Sequence, residues 1–233
     1  MHTNETQGEL LPGELEKREI SRVIKKKVHR IEREFTDAFE LINRYDKSVT
    51  FFGSARFKED NDHYQQAKAL AKKISAEGYT ILTGGGGGIM EAANRGAFEA
   101  GKESVGLNIR LPHEQSLNQY THESMQFNYF FIRKVALSFA AEAYVFFPGG
   151  FGTCDELFEM LTLIQTHKIR RVPVILVGEG YWNELDHFIK KQMTEEHQTI
   201  NVEDMDIYTI TEDEDEILRI IKEVPVRPMI QRK

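Results

Sequence analysis

One segment, residues 143–165, limits the fold of this 233-residue chain more than any other. Its apolar start, Ala143–Phe147, is typical of a buried strand, and Leu157–Gln165 has the spacing of a helix. A glycine-rich turn lies between them. A strand that passes through glycines into a helix presents the first helical amides, with the positive end of the helix dipole, to an anion. The segment therefore predicts an α/β fold with an anion site at the end of a strand.

The turn reads Pro-Gly-Gly-Phe-Gly-Thr-Cys-Asp-Glu over residues 148–156. Its glycines allow the backbone to approach a phosphate closely, and the threonine hydroxyl adds a donor. The closing acid, Glu156, repels an anion, so it either compensates the helix dipole or orients and deprotonates water. The candidate phosphate-binding residues are Gly149, Gly150, Gly152 and Thr153.

Composition narrows the class of protein. With 40% hydrophobic and 29% charged residues the chain is an ordinary globular protein, and a net charge of −7 argues against nonspecific nucleic-acid binding. A single cysteine, Cys154, excludes an intrachain disulfide, and the scattered histidines lack metal-ligand spacing, so we expect no metal and no cofactor. Because no signal peptide or bilayer-length apolar run is evident, we expect a cytoplasmic protein without a membrane partner.

The chain divides into four parts by pattern. We predict flexible tails at residues 1–13 and 226–233, an amphipathic helical arm at 14–46, and a Rossmann-like nucleotide-binding domain at 47–225. The apolar stripe of the arm needs a partner, either the main domain or a second subunit. The basic cluster Lys25–Lys27 indicates a solvated face rather than an RNA or membrane contact. The stripe consists of Ile20, Ile24, Val28, Ile31, Phe35, Phe39 and Ile42.

From residue 49 onward, strand and helix patterns alternate. This order implies right-handed crossovers and a doubly wound parallel sheet covered by helices on both faces. Ligands of such sheets lie at the carboxyl ends of the strands. The predicted strands are 49–52, 79–82, 104–109, about 125–128, 143–147, 172–177 and one near Tyr208. The predicted helices include 63–76, 89–100, 130–140, 157–165, one from about Trp182, and 213–222.

Two more turns of small residues, Gly53-Ser54 and Gly84–Gly88, follow predicted strands and would share a crevice with the first turn. They do not match the dinucleotide fingerprint, because Leu107–Arg110 stands where an acid should close the next strand. No Gly-Lys-Ser/Thr motif for a nucleoside triphosphate is present either. A monophosphate or similar single anion fits these turns better. The candidate substrate-binding residues here are Gly53, Ser54, Gly84 and Gly85.

Charged residues in two other places could reach this crevice. Arg133 and Lys134 lie in the helix before the 143–147 strand, where a cation is either functional or simply snorkelling and salt-bridged. Placed across the crevice from Glu156, Arg133 would engage the substrate or stabilise developing negative charge. Glu114 follows the third strand in a polar segment that is either an ordinary loop or part of the crevice.

In combination these motifs resemble those of the LONELY GUY (LOG) family, whose members were long mislabelled as lysine decarboxylases. The turn at residues 148–156 is similar to the family signature Pro-Gly-Gly-x-Gly-Thr-x-x-Glu, and Arg133-Lys134 is similar to its Arg-Lys pair. Residues 83–97 resemble its second glycine motif, and residues 111–115 with the N-terminal arm resemble a longer bacterial branch.

The resemblance implies a Rossmann-like phosphoribohydrolase. Such an enzyme hydrolyses the N-glycosidic bond of nucleoside 5′-monophosphates, such as AMP or cytokinin riboside monophosphates, to the base and ribose 5-phosphate. By position Arg133 and Glu156 would be the catalytic pair, Gly149 to Thr153 would hold the phosphate, and the protein would form a homodimer or larger homo-oligomer. The alternative is a non-catalytic carrier of a nucleotide or of molybdenum cofactor. Lysine decarboxylation is not expected, because no lysine stands in a recognisable pyridoxal phosphate context.

Overall fold

The structure, a computed structural model, describes residues 12–110 and 116–225, with side chains from residue 19 onward. Residues 1–11 and 226–233, both assigned above to tails, lie outside the described residues. Glu114 also lies outside them, together with the rest of the segment 111–115.

The core of the fold is one sheet of seven parallel strands in the order β4-β3-β2-β1-β5-β6-β7. The doubly wound α/β fold predicted from the alternating pattern is therefore confirmed. The strands are β1 (Ser48–Phe52), β2 (Thr80–Thr83), β3 (Ser104–Ile109), β4 (Glu123–Phe127), β5 (Ala143–Phe146), β6 (Val174–Leu176) and β7 (Tyr208–Ile210).

Helices cover both faces of the sheet, as the strand-helix alternation requires. They are α1 (Pro12–Ile42), α2 (Asp62–Ala76), α3 (Ile89–Glu99), α4 (Phe130–Phe139), α5 (Phe151–Gln165), α6 (Glu179–Phe188) and α7 (Glu214–Lys222). A π-helical segment, Ile189–Glu196, continues α6, and a 3₁₀ segment, Val202–Ile207, precedes β7. Neither short segment was predicted, because such turns have no distinct hydrophobic period.

Strand residues alternate between two hydrophobic clusters, one on each face of the sheet. Phe52 packs in the cluster under α1, α4 and α5, where its ring lies 4.7 Å from that of Phe146. Its neighbour Phe51 packs in the opposite cluster, under α2, α3 and α7. Because both faces are covered, β1, β2 and β5 are buried at every position.

Strands β1 and β5 are neighbours, paired from Val49↔Ala143 to Phe52↔Phe146. From β1 the chain builds outward to β4, and α4 then returns it to β5, from which it builds outward in the other direction. The gap above β1 and β5 is therefore the switch point of the sheet, where α/β proteins of this type bind ligands.

Helix α1 combines two environments. From Ile31 to Ile42 its apolar residues pack against the domain, and the Phe39 ring lies 6.1 Å from that of Phe139 on α4. From residue 19 to residue 30 every side chain is exposed, including the apolar residues of the predicted stripe. Only the second half of the stripe is thus covered by its own domain. None of the helices within residues 12–110 and 116–225 has the length and apolarity to cross a membrane.

Candidate active site

A cavity of about 830 Å³ opens at the switch point, above the carboxyl ends of β1 and β5. The loop after β1, residues 53–57, forms one wall, and residues 148–153 form the other. Arg133 of α4, Glu156 of α5 and Tyr181 of α6 also line it, together with Phe52, Met90 and Phe130. Gly53, Ser54, Gly149, Gly150, Gly152 and Thr153, which were predicted from sequence, all line this cavity.

The amino end of α5 faces the cavity without a capping side chain. Gly150 is its N-cap residue, and the first intrahelical bond runs from the Cys154 N–H to the Gly150 carbonyl, at 3.1 Å. The three preceding amides, of residues 151–153, consequently have no carbonyl partner within the helix. With the helix dipole behind them, these amides favour a bound anion.

Gly149 is required by the close approach of three segments. A Cβ atom at this position would lie 2.1 Å from the Thr153 Oγ1 and 3.0 Å from the Ser54 nitrogen. The Ser54 N–H donates to the Pro148 carbonyl at 3.0 Å, which joins the loops after β1 and β5 directly. The Tyr181 hydroxyl donates to the Gly149 carbonyl at 2.7 Å and holds the turn from the side of α6.

The glycine run Gly84–Gly88, after β2, does not line the cavity but leaves space for the side chain of Arg133. A Cβ atom on Gly84 would lie 2.3 Å from Nη2 of Arg133, so only glycine leaves room for the guanidinium there. At the end of the run, the Ile89 N–H donates to the Ser54 carbonyl at 3.0 Å and joins this loop to the one after β1. The three small-residue turns are therefore in contact, but residues 84–88 do not line the cavity that the three turns were predicted to share.

Arg133 is a buried cation held by the ends of the sheet. Its Nε donates to the Leu107 carbonyl at 2.8 Å, and its Nη1 lies 3.5 Å from Oε1 of Glu156. The exposed fractions are 9% for Arg133 and 6% for Glu156. A carbonyl of β3 and a carboxylate of α5 thus fix the guanidinium over the floor of the cavity.

Burial dominates the electrostatics of the pair. It raises the pKa of Glu156 from 4.5 to about 7, against the opposing charges of Arg133 and Lys134. Burial also lowers the pKa of Arg133, although an arginine side chain stays protonated in proteins. Glu156 is therefore poised to exchange a proton near neutral pH, which suits acid–base chemistry.

Three predicted substrate-binding residues lie elsewhere. Gly84 is beside the Arg133 guanidinium but does not line the cavity, and Gly85 packs against Gly106 and Leu117. The Lys134 ammonium lies 2.7 Å from Asp155 and 3.4 Å from Glu159, on the outer side of α4 and α5. The proximity of Lys134 to Arg133 in sequence does not carry its side chain into the cavity.

A buried polar network supports the glycine run and was not anticipated. The side-chain oxygen of Asn94, Oδ1, accepts from the Thr83 hydroxyl at 2.6 Å and from the side-chain amide of Asn118 at 2.9 Å. Its amide nitrogen donates to the Ser104 hydroxyl at 2.8 Å. The Thr83 hydroxyl in turn accepts from the Gly85 N–H at 2.8 Å. Sequence gives little signal for such a network, because each residue alone resembles an ordinary helix or strand position.

Nine lining residues were not among the predicted site residues: Phe52, Ala55, Arg56, Phe57, Met90, Phe130, Pro148, Phe151 and Tyr181. Tyr181 follows β6, next to β5 in the sheet, so its position after a strand was the available signal. Among residues 19–110 and 116–225, no group of three or more His, Cys, Asp or Glu side chains could hold a metal ion.

Fold and site together define a Rossmann-like α/β protein with a crevice at the amino end of α5 and a buried arginine–glutamate pair. Residues 90–221 match the family described as "Possible lysine decarboxylase", and the chain belongs to this family, also known as the LOG family. The membership inferred from the sequence motifs is therefore confirmed.

Relatives and solved structures extend the comparison. The chain is 28% identical over 156 residues to the Oryza sativa subsp. japonica protein named "Probable cytokinin riboside 5'-monophosphate phosphoribohydrolase LOGL3", covering 66% of this chain and 73% of that one. The crystal structure of TM1055 has a TM-score of 0.57 at 24% identity and covers 76% of this chain and 99% of its own. The molybdenum cofactor binding protein of Rippkaea orientalis has the same TM-score at 19% identity, covering 76% and 96%. Both structures share the fold.

Proposed function

We propose that this protein hydrolyses the N-glycosidic bond of nucleoside 5′-monophosphates, AMP first among them, to the free base and ribose 5-phosphate. The observation that carries the proposal is the buried pair of Arg133 and Glu156, 3.5 Å apart in the floor of the cavity, beside the uncapped amino end of α5. The names of the LOG relatives support the same reaction class, and cytokinin riboside monophosphates are further candidate substrates.

The 5′-phosphate occupies the amino end of α5 in this proposal. The amides of residues 151–153 and the Thr153 hydroxyl donate to its oxygens, and Gly149 and Gly150 allow the close approach. Binding a dianion here uses the helix dipole as well as individual hydrogen bonds. Glu156 is one turn further along α5, so it faces the sugar rather than the phosphate.

The chemical step breaks the bond between C1′ of the ribose and the base nitrogen. The bonding electrons leave with the base, positive charge develops on the ribose ring, and water adds to C1′, as in glycoside hydrolysis generally. An ionised Glu156 stabilises this charge and can take the proton that the water releases. Transfer of a proton to the departing base, through Glu156 or the solvent, balances the consumption of one water. Bonding of the ribose hydroxyls is a further role for the same carboxylate.

Arg133 serves the reaction through its fixed charge. It lowers the pKa of Glu156 against the effect of burial and so keeps part of the carboxylate ionised near neutral pH. Its guanidinium also lies 5.7 Å from the ring centre of Phe130, which lines the cavity. A planar base can pack against such an aromatic side chain at the open end of the cavity.

We also propose that two copies assemble across α4 and α5. Apolar side chains on these helices are exposed, with Phe131 at 50% and Phe151 at 98%. Several exposed apolar side chains on adjacent elements are typical of an interaction surface. Phe151 also lines the cavity, so a second copy would cover the cavity mouth. Light scattering should give at least twice the chain mass of 26.9 kDa, and a monomer would refute this assembly.

A carrier without turnover is the second candidate, favoured by the likeness in fold to the Rippkaea orientalis molybdenum cofactor binding protein. A carrier has no need of a buried carboxylate with a pKa near neutrality, and for this reason we prefer the enzyme. Lysine decarboxylation has no support in the site, because no lysine lines the described part of the cavity.

A substrate panel tests the proposal. Purified protein is incubated with AMP, adenosine and the other nucleoside monophosphates, and released bases are separated by chromatography. We expect adenine from AMP and far less from adenosine, because adenosine lacks the group that the α5 amides bind. Tight binding of AMP with no base released would favour the carrier instead.

A further inference from the structure

A second cavity, of about 500 Å³, lies at the outer edge of the sheet, between α1 and the carboxyl ends of β3 and β4. It shares no lining residue with the cavity at the switch point. Three arginines line it: Arg30 and Arg33 from α1, and Arg110 just after β3. The proposed reaction uses none of them.

These three guanidinium groups have no ionic partner among the residues that the structure describes. Glu34 and Asp37 also line the cavity, each four positions after Arg30 and Arg33 respectively, the spacing at which helical ion pairs form. Neither pair comes within 4.0 Å. Arg110 makes one neutral contact, from its Nη2 to the Gln126 amide oxygen at 3.0 Å.

Glu34 is already engaged by other donors. Its carboxylate accepts from the Asn128 N–H at 3.0 Å, the Asn128 side-chain amide at 2.9 Å and the Tyr129 N–H at 3.0 Å. Glu34 is buried, with 7% of its surface exposed. Because three donors share its charge, Glu34 opposes an anion in the cavity less than a free carboxylate would.

We propose that this cavity binds a compact polyanion, such as a diphosphate group, between Arg30, Arg33 and Arg110. Guanidinium groups present paired donors that match phosphate oxygens, and these three outnumber the two carboxylates, Glu34 and Asp37, in the same lining. The side-chain amides of Gln126 and Asn128, also in the lining, add neutral donors. The inference is independent of the proposed function.

The second cavity is connected to the cavity at the switch point through α4. Tyr129 lines the second cavity and is the N-cap residue of α4. Its carbonyl accepts from the Arg133 N–H at 3.3 Å, one turn into the helix. Tyr129 therefore connects the second cavity to the helix that carries Arg133.

Calorimetric titration with inorganic pyrophosphate tests the proposal on the full chain. The amino end of α5 also attracts pyrophosphate, so two classes of site are expected in the unmodified protein. Thr153→Val should weaken the first class only. The double variant Arg33→Gln/Arg110→Gln should weaken the second class at least tenfold, because each lost charged contact is worth about 1.5–3 kcal/mol.

The matched control is Arg22→Gln/Lys26→Gln, which removes the same charge from the exposed part of α1. Both classes of site should keep their affinity in the control within about twofold. Equal pyrophosphate binding by the two double variants would overturn the proposal, as would a single class of site that only Thr153→Val weakens. Because all four substituted side chains are exposed, the fold should survive, and thermal unfolding checks this. Absence of AMP turnover would sink the proposed function without touching this result.

Discussion

Nη1 of Arg133 lies 3.5 Å from Oε1 of Glu156, and both side chains are almost wholly buried. The distance is longer than that of a short hydrogen bond, so the two groups interact mainly through charge. Breaking a buried pair by removing one partner leaves an uncompensated charge. The pair therefore couples the folding stability of the protein to the protonation of Glu156.

The pH profile of the reaction should report the ionisation of Glu156. Burial raises the pKa of this carboxyl to about 7, and the proposed reaction needs the ionised form. We expect kcat/KM for AMP to rise with pH and to reach half of its maximum near pH 7. A profile that is flat between pH 5 and pH 9 would contradict the role given to Glu156.

Removing the charge of Arg133 should shift this profile. The guanidinium lowers the pKa of Glu156, so Arg133→Gln should move the acidic limb of kcat/KM to higher pH. Turnover at neutral pH should fall by about 10²–10³-fold, the typical loss of one electrostatic contact in an active site. Lys134→Gln is the control, since this ammonium points to Asp155 and Glu159 and should shift the limb less. Equal shifts in both variants would refute the special position of Arg133.

The fold and the switch point could be predicted because their signals are local and repeated. The strands are short segments rich in apolar and β-branched residues, and they alternate with segments of helical period, so β1 was predicted to within a residue. Two features needed the structure. The division of α1 into a packed half and an exposed half depends on where α4 lies, and the arginine cavity joins residues from α1, β3 and β4.

Stability should depend on pH through the same carboxyl. The folded state raises the pKa of Glu156 from 4.5 to about 7, so between these values the folded protein binds more protons than the unfolded one. The free energy of unfolding should therefore fall as pH rises through this window and level off above it. The shift corresponds to at most about 3 kcal/mol.

Comparison with Glu156→Gln isolates this contribution. Denaturant unfolding of both proteins at pH 5, 6, 7 and 8 gives the difference in unfolding free energy at each pH. This difference, wild type minus variant, should decline from pH 5 to pH 7 and then stay constant. A difference that rises with pH would mean that Glu156 is stabilised in its ionised form.

Gly149 and Gly150, neighbours in the turn after β5, should tolerate substitution differently. Gly149→Ala places a methyl group 2.1 Å from the Thr153 hydroxyl, so it should cost about 1–3 kcal/mol of stability and raise KM for AMP. Gly150→Ala places its methyl group in open space and is the control, with unfolding free energy changed by less than about 0.5 kcal/mol. The prediction fails if both variants unfold at the same denaturant concentration.

The candidate site was predictable only in part, and for a physical reason. The glycines that were predicted to hold a phosphate lie in the 148–156 turn, directly after a strand. The sequence pattern therefore locates them. Side-chain direction is not encoded this way: Arg133 and Lys134 are neighbours, but one reaches Glu156 and the other reaches Asp155 on the outer surface. Tyr181 follows β6, and only the order of strands in the sheet, which puts β6 beside β5, shows that it reaches the cavity.

The central claim is tested most directly by adenine release from AMP. Wild type, Glu156→Gln and Glu159→Gln are compared in one chromatographic assay, with Glu159 as a carboxylate one turn further along the same helix. We expect wild type and Glu159→Gln to release adenine at rates within about threefold, and Glu156→Gln to be slower by about 10²–10⁴-fold. Release at the wild-type rate by Glu156→Gln, or no release by any of the three, would contradict the account.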